Sequence, residues 1–525
     1  MSRIYLTILS LAICFLLPPA AFSSEPVRPK TRAQNFIEEN IAEEPLRSGL
    51  VGVLAVKMNG DTIAESGSLR KLLPASNTKL ITTGLALRSL GPDYRFATTI
   101  AYSGHVSGGT LHGDLYILGG GDPTIASGDP GTPPADTLFS QWKAMMDKAG
   151  IRRVDGCVIG DGRHFDGPIE KDSWSYSDLG TYYGAGCDGL SFNRNILYVN
   201  VSAAPAVGLP VNASVSYPVL PWMEFRMDCV TAPAGTGDNL YLYNTDLAPV
   251  CELRGTFAVD RTPKREECSY KFGALACATY FTDYLRCSGL DVTGGAADVD
   301  SRGMVRTAES LMKKTWPSDR QEKAADGVVA DGSCEGGLRP IGTTYSPAVA
   351  SIARTTNSRS DNFYAETLLR ELSLLRTGSA SYDSCAVTVL RELDSLGTDS
   401  SYGIRMVDGS GLARHNYISP DFFCRFLASM YNDDAFPSFL QSVSRPGEPG
   451  MRSCLAGSPA SVKSRIHMKS GSMNGVLCYS GYILPSSGDR DGTIVFSIMT
   501  NNCTGPVQKI RDFVYEFILL AAGEN

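Results

Sequence analysis

The pattern of apolar residues changes twice along this chain. Residues 31–44 have helical spacing, with Phe36, Ile37 and Ile41 apolar. Residues 50–56 and 62–65 read as a hairpin around Asn59-Gly60, a dipeptide suited to a type I′ turn. A helix follows Pro74-Ala75-Ser76, with Leu80, Ile81, Leu85, Leu87 and Leu90 apolar and Gly91-Pro92 as its stop. From Tyr94 to about Asp298, short strand-like runs (96–102, 110–118, 157–159, 197–201, 211–219) alternate with Gly-rich turns. Helical spacing then returns at 345–353, 362–375, 383–395 and 420–431. Residues 474–484 and 493–500 read as buried strands, and Pro506 opens a last helix over 507–522. Such a chain is a mixed body interrupted by a β-rich insertion of one or two small domains.

At 525 residues, 43% hydrophobic and 20% charged, the chain is long enough for several globular domains. A net charge of -7 leaves no basic footprint for nucleic acid. Residues 1–23 read as a secretory signal. Arg3 supplies the positive start, 4–17 is apolar, Pro18-Pro19 breaks the run, and small residues at 20–23 suit cleavage near residues 21–24. The alternative is an uncleaved N-terminal membrane anchor, although the apolar run is short for a span. Export to the periplasm is therefore expected. Of 14 Cys, Cys14 lies in the leader and the rest are odd in number. Cys229, Cys251, Cys268, Cys277 and Cys287 crowd one region, where export would permit disulfides. The absence of C-x-x-C and H-E-x-x-H pairs disfavours zinc and thioredoxin-type chemistry, and no metal or cofactor is expected.

Three short motifs carry the chemistry. In Ser76-Asn77-Thr78-Lys79, Ser and Lys share a helix face one turn apart. A Ser hydroxyl needs a neighbouring base, and a lysine with a depressed pKa can be that base. The same S-x-x-K spacing recurs at Ser68, Ser140 and Ser310, and the plain reading of Ser76 is a helix cap. Its place after a Pro-Ala turn, opening an apolar helix, singles it out. Ser360-Asp361-Asn362 opens the helix at 362–375, with capping as the alternative role; Ser191-Phe192-Asn193 and Ser472-Met473-Asn474 fit the same S-x-N pattern. Lys469-Ser470-Gly471-Ser472 precedes a strand, placing a cation for a carboxylate and a glycine where a substrate backbone must approach. A charged edge strand is its bland alternative.

Together and in this order the motifs resemble those of penicillin-binding proteins and serine β-lactamases, S-x-x-K, S-x-N and K-[ST]-G. Within that superfamily the chain resembles the penicillin-binding protein 4 group of D-Ala-D-Ala carboxypeptidases, peptidase family S13. The segments SPAVASIARTTNSRSDNFYAETLL, DGSGLARHNYISP and HMKSGSMNGVLCYSGYIL carry the likeness most strongly. The third motif has Ser470 where the family often has Thr, which keeps the hydroxyl.

The resemblance implies an α/β catalytic domain, an antiparallel sheet between helical layers completed by both chain ends. It would span 24–94 and 300–525, with 95–299 as the insertion. It implies Ser76 as acylated nucleophile, Lys79 as base, Ser360 and Lys469 as proton relays, and Asn362 as a positioner of substrate and Lys79. Ser470 and Lys469 would hold the terminal carboxylate, Gly471 would let the substrate backbone approach, and the N–H groups of Ser76 and Ser472 would form an oxyanion hole. Met473 would line the stem-peptide pocket. Asp161 would meet a stem amino group, against a slightly preferred reading as a turn residue. Asp408, Ser410 and Arg414 are expected as structural support. The implied partners are peptidoglycan stem peptides ending in D-Ala-D-Ala and β-lactams that acylate the same Ser, with DD-endopeptidase action where the groove admits more stem. A β-lactamase or esterase using the same motifs, or a non-catalytic peptidoglycan-binding protein, are the rivals.

Overall fold

A computed structural model describes residues 29–312 and 337–524. The expected signal at 1–23, with Cys14, lies outside the described residues.

One body is built from both ends of the chain. Its elements are α1 (Arg32–Asn40), β1 (Leu50–Lys57), β2 (Thr62–Ser66), α2 (Thr78–Ser89), α3 (Val349–Arg359), α4 (Asn362–Thr377), α5 (Tyr382–Ser395), α6 (Pro420–Tyr431), β3 (Ile466–Met473), β4 (Val476–Ile483), β5 (Ile494–Asn501) and α7 (Val507–Gly523). The five strands form one antiparallel sheet in the order β2-β1-β5-β4-β3. In β5, Ile494, Phe496 and Ile498 pack toward α1 and α7 with Ile37, Phe513, Phe517 and Ile518. Val495 and Met499 face the other way, into a core with Leu80, Phe363, Leu368, Phe422 and Phe426 from the central helices. The alternation of a strand thus divides between two cores, which is why β4 and β5 read as unbroken apolar runs. The helix α6 starts as its sequence dictates: Ser419 caps it by accepting from Phe422 N, and Pro420 takes the first turn.

The insertion is mixed rather than only β-rich. A six-stranded sheet runs in the order 305–307, 296–299, 158–161, 115–118, 97–102, 339–345. Helices Ala135–Lys148 and Gly273–Cys287 pack into its core through Leu138, Trp142, Leu275 and Phe281. The strand Arg339–Tyr345 pairs antiparallel with Ala97–Tyr102, so the insertion's sheet is closed well past the expected boundary at 299. The twelve cysteines among the described residues are all unbridged, including the five that were expected to be disulfide candidates. Most are buried singly within packed elements, as Cys229 is, where its thiol donates to Leu253 O.

Candidate active site

Four loops and one sheet edge converge on Ser76. The residue sits in a short 3-10 turn, Ala75–Asn77, that runs directly into α2. Asn77, fully buried, anchors that turn to the sheet by donating to Ser480 Oγ at 2.8 Å, which in turn donates to Ser497 Oγ at 2.9 Å. One helical turn on, Lys79 is 0% exposed. Its Nζ lies 2.9 Å from Ser76 Oγ, 2.7 Å from Asn362 Oδ1 and 2.7 Å from Ser410 O. The last two atoms only accept. They occupy two N–H bonds of a neutral amine and leave its lone pair for the Ser76 hydroxyl. Burial pulls the Lys79 pKa down to about 8, against the fields of Glu366, Asp408 and Asp361, which raise it. A minor but appreciable fraction of this amine is thus neutral near physiological pH, and the fraction grows as pH rises through 8.

The loop that offers Ser410 O is held by two buried carboxylates. Glu366 accepts from Gly409 N at 2.9 Å and Ser410 N at 2.8 Å. Asp408 accepts from Gly411 N, Ala413 N, Asn416 Nδ2 and Trp174 Nε1. Burial and the neighbouring Asp408 raise the Glu366 pKa. Asp408 and Ser410 are therefore the structural supports expected of them.

Ser360 and Asn362 flank the start of α4. Ser360 ends α3 in the left-handed region at φ 56°, and Asp361 caps α4 by accepting from Tyr364 N. Asn362 gives Nδ2 to Tyr183 O at 2.9 Å, and that bond decides which end of its amide faces Lys79. Lys469, on the edge strand β3, is 2% exposed and lies 3.0 Å from Ser360 Oγ and 2.7 Å from Ser470 O. Burial, and then the Lys79 charge, hold its pKa well below the usual lysine range. Gly471 is the point where strand and nucleophile turn touch. A Cβ there would stand 2.5 Å from Pro74 O and 2.9 Å from Ser76 N.

A cleft of about 620 Å³ opens over this arrangement, lined in part by Ser76, Ser360, Asn362, Ser470, Ser472 and Met473. Of the residues expected at the site, only Asp161 is placed elsewhere. It ends the strand Val158–Asp161 inside the insertion, 7% exposed, with its carboxylate accepting from Arg163 N at 3.0 Å and paired with Arg163 Nη2 at 2.7 Å. The turn reading of D-G-R holds there, because the side chain closes its own turn.

Asp178, Tyr182, Tyr183 and Arg359, which no sequence motif marks, also line the cleft, as does Arg414, expected only as support. Asp178 comes from the insertion, in the short helix Tyr176–Leu179. Burial raises its pKa, offset in part by the Tyr183 hydroxyl and by Arg414. Among the described residues no cluster of three His, Cys, Asp or Glu side chains is placed to hold a metal ion.

Comparison with known proteins matches the arrangement to one family. The D-Ala-D-Ala carboxypeptidase 3 (S13) family matches residues 33–317 and 308–513. A D-alanyl-D-alanine carboxypeptidase of Actinomadura sp. (strain R39) is 26% identical over 508 residues, covering 94% of this chain and 86% of that protein. A penicillin-sensitive carboxypeptidase A of Dictyostelium discoideum is 25% identical over 498 residues, covering 90% of this chain and 86% of that one. The crystal structure of penicillin binding protein 4 from Haemophilus influenzae shares the fold, with a TM-score of 0.73, 20% identity, and coverage of 94% of this chain and 98% of that one.

Proposed function

The chain belongs to the D-Ala-D-Ala carboxypeptidase 3 (S13) family, and from that premise we propose that Ser76 carries the acyl group of a serine DD-peptidase reaction. The enzyme is a serine-type D-alanyl-D-alanine carboxypeptidase that binds penicillin. Neutral Lys79 takes the Ser76 proton as Oγ bonds to the carbonyl carbon of the penultimate D-Ala. The developing oxyanion lies between the N–H groups of Ser76 and Ser472, each such donor contributing about 3 kcal/mol. The C–N bond then breaks, and the proton that Lys79 took is relayed through the Ser360–Lys469 pair to the leaving amine, which returns Lys79 to its neutral form. Free D-Ala departs. Water, giving its proton to Lys79, hydrolyses the acyl-enzyme and regenerates Ser76 Oγ–H. Ser470 and Lys469 hold the terminal carboxylate.

One observation carries this reading. Lys79 Nζ has two acceptors and one hydroxyl around it, so its free lone pair points at Ser76. The substrate is a peptidoglycan stem peptide. The role expected of Asp161 falls to Asp178, which shares the cleft with Arg414 and meets an amino group of the stem, while Met473 lines the same wall. The cleft is open, and a cross-linked stem entering it would be cut by the same chemistry. Export to the periplasm follows from the N-terminal signal; among the described residues no helix is long and apolar enough to cross a membrane.

Fluorescent penicillin should label the wild-type chain and leave Ser76→Ala unlabelled. An unlabelled wild type defeats the assignment, and rapid release of hydrolysed penicillin favours a β-lactamase. Mass spectrometry of a stem pentapeptide and a cross-linked dimer after incubation separates carboxypeptidase from endopeptidase action.

A further inference from the structure

Ser191-Phe192-Asn193 fits the S-x-N pattern but is not the copy at the nucleophile. It leads instead into a left-handed turn in which Asn193, Arg194 and Asn195 have φ of 50°, 54° and 54°. Asn tolerates that region, whereas Arg occupies it only where its surroundings impose it. The surroundings here do so. Asn193 Nδ2 donates to Ile196 O at 2.7 Å, and Asn195 Nδ2 to Gly186 O at 3.1 Å. Asn193 N donates to Ile125 O and Tyr270 N to Asn195 O. Gly273 makes room for the turn, since a Cβ there would stand 2.2 Å from Asn195 Oδ1.

The turn projects Arg194 out of the insertion and onto the catalytic half. Its Nη1 donates to Asp361 Oδ2 at 2.8 Å, with side chains only 12% and 8% exposed. Asp361 is the middle residue of the Ser360-Asp361-Asn362 motif, and its other oxygen caps α4. Asp129, also from the insertion, lies near enough to act on Arg194 too, and accepts from Arg359 Nη1 and from Tyr364 Oη. We propose, resting on the acyl-enzyme reading above, that Arg194 is a positioning residue for acylation: it pins Asp361 so that Ser360 and Asn362 stay in register with Lys469 and Lys79.

The ion pair also has an electrostatic effect. The charged groups acting on Lys79 are Glu366, Asp408 and Asp361, which raise its pKa, while the neighbouring Lys469 amine is itself held well below the usual lysine range by burial and then by Lys79. Arg194 offsets Asp361 alone among these. Removing Arg194 leaves Asp361 unopposed, so Lys79 holds its proton to higher pH.

The test is the second-order rate of penicillin acylation of the full chain against pH. For R194M the rate should fall about tenfold to a hundredfold, as for a reacting group displaced by under 1 Å or so. The acid limb of its profile should move to higher pH, and R194K, which keeps the cation, should recover most of the rate. D361N breaks the pair from the other side and serves if R194M does not fold. It should slow acylation similarly, but move the acid limb to lower pH, because an acid that raises Lys79 is gone. Wild-type rate and an unmoved acid limb in R194M overturn the proposal. So does a slow R194M with an unmoved limb, which marks the residue as merely structural. A wild type that takes no label defeats the acyl-enzyme reading itself, whereas a labelled wild type with an indifferent R194M defeats only this inference.

Discussion

With Lys79 as the proposed base, its titration would set the pH behaviour of the reaction. Its folded pKa is depressed to about 8, so the proton must leave before the amine can accept one from Ser76. Acylation by penicillin should therefore climb as pH rises toward 8 and level off above it. A plateau already reached in mildly acidic buffer would contradict the assignment of Lys79 as base. Lys79→Ala should lose about 10²–10⁴-fold in acylation rate, the usual contribution of a positioned base. The convergence of the proposed catalytic residues was legible because each motif is local: helix spacing alone puts Ser76 and Lys79 on one face, and Ser360 and Asn362 straddle a single cap. Asp178 and Arg414 were not legible in the same way. Neither sits in a repeating pattern, and they meet only because the insertion folds back over the α4 start. Asp161 misled because an Asp in D-G-R has a local use, closing its own turn, that the sequence cannot separate from a remote one.

Edge strand and nucleophile turn form one unit. With Gly471 lying against Pro74 O and Ser76 N, Gly471→Ala forces β3 away from the turn. Acylation should fall about a hundredfold, the cost of roughly 1 Å of misplacement between reacting groups. Label measured against time would show this, and a rate within a factor of two of wild type would mean that the strand need not touch the turn. Asn77→Ala should lower unfolding free energy by about 1 kcal/mol, the net worth of the lost bond to Ser480. Denaturant titration reads that change. Elements with clean caps were visible in sequence, and α6 runs over the residues its Ser-Pro start and apolar spacing mark. The helix Gly273–Cys287 was not, since ten of its fifteen residues are buried and its exposed Asp283 and Arg286 come only in the last turns, too few to set a period. The helix Ala135–Lys148 does carry the spacing Leu138, Trp142, Met146, but flanking Gly and Pro turns made its surroundings read as β.

At the scale of the whole molecule, the insertion is part of the catalytic centre. Trp174 holds Asp408, the Tyr183 carbonyl orients Asn362, Arg194 pairs with Asp361 of the second motif, and Asp129 holds the flanking Arg359 and Tyr364. Sequence patterns located this region but not its end, because the closing strand Arg339–Tyr345 is defined by a partner at Ala97–Tyr102 rather than by anything near it. The same long-range folding puts an acid from the insertion into a cleft whose proposed nucleophile belongs to the body, and this would separate two kinds of ligand. A penicillin is small and needs only the body's three motifs. On the proposed reading, a stem peptide extends further and would place an amino group where Asp178 lies. Asp178→Asn should then lower kcat/KM for a stem pentapeptide by about tenfold to a hundredfold, mainly through KM, as expected when a hydrogen bond to a charged group worth about 1.5–3 kcal/mol is lost. Penicillin, which presents no such amine, should acylate the variant with a far smaller change. Equal losses for the two ligands would place Asp178 in the scaffold of the nucleophile. Equal retention would mean that the stem lies along another wall of the cleft.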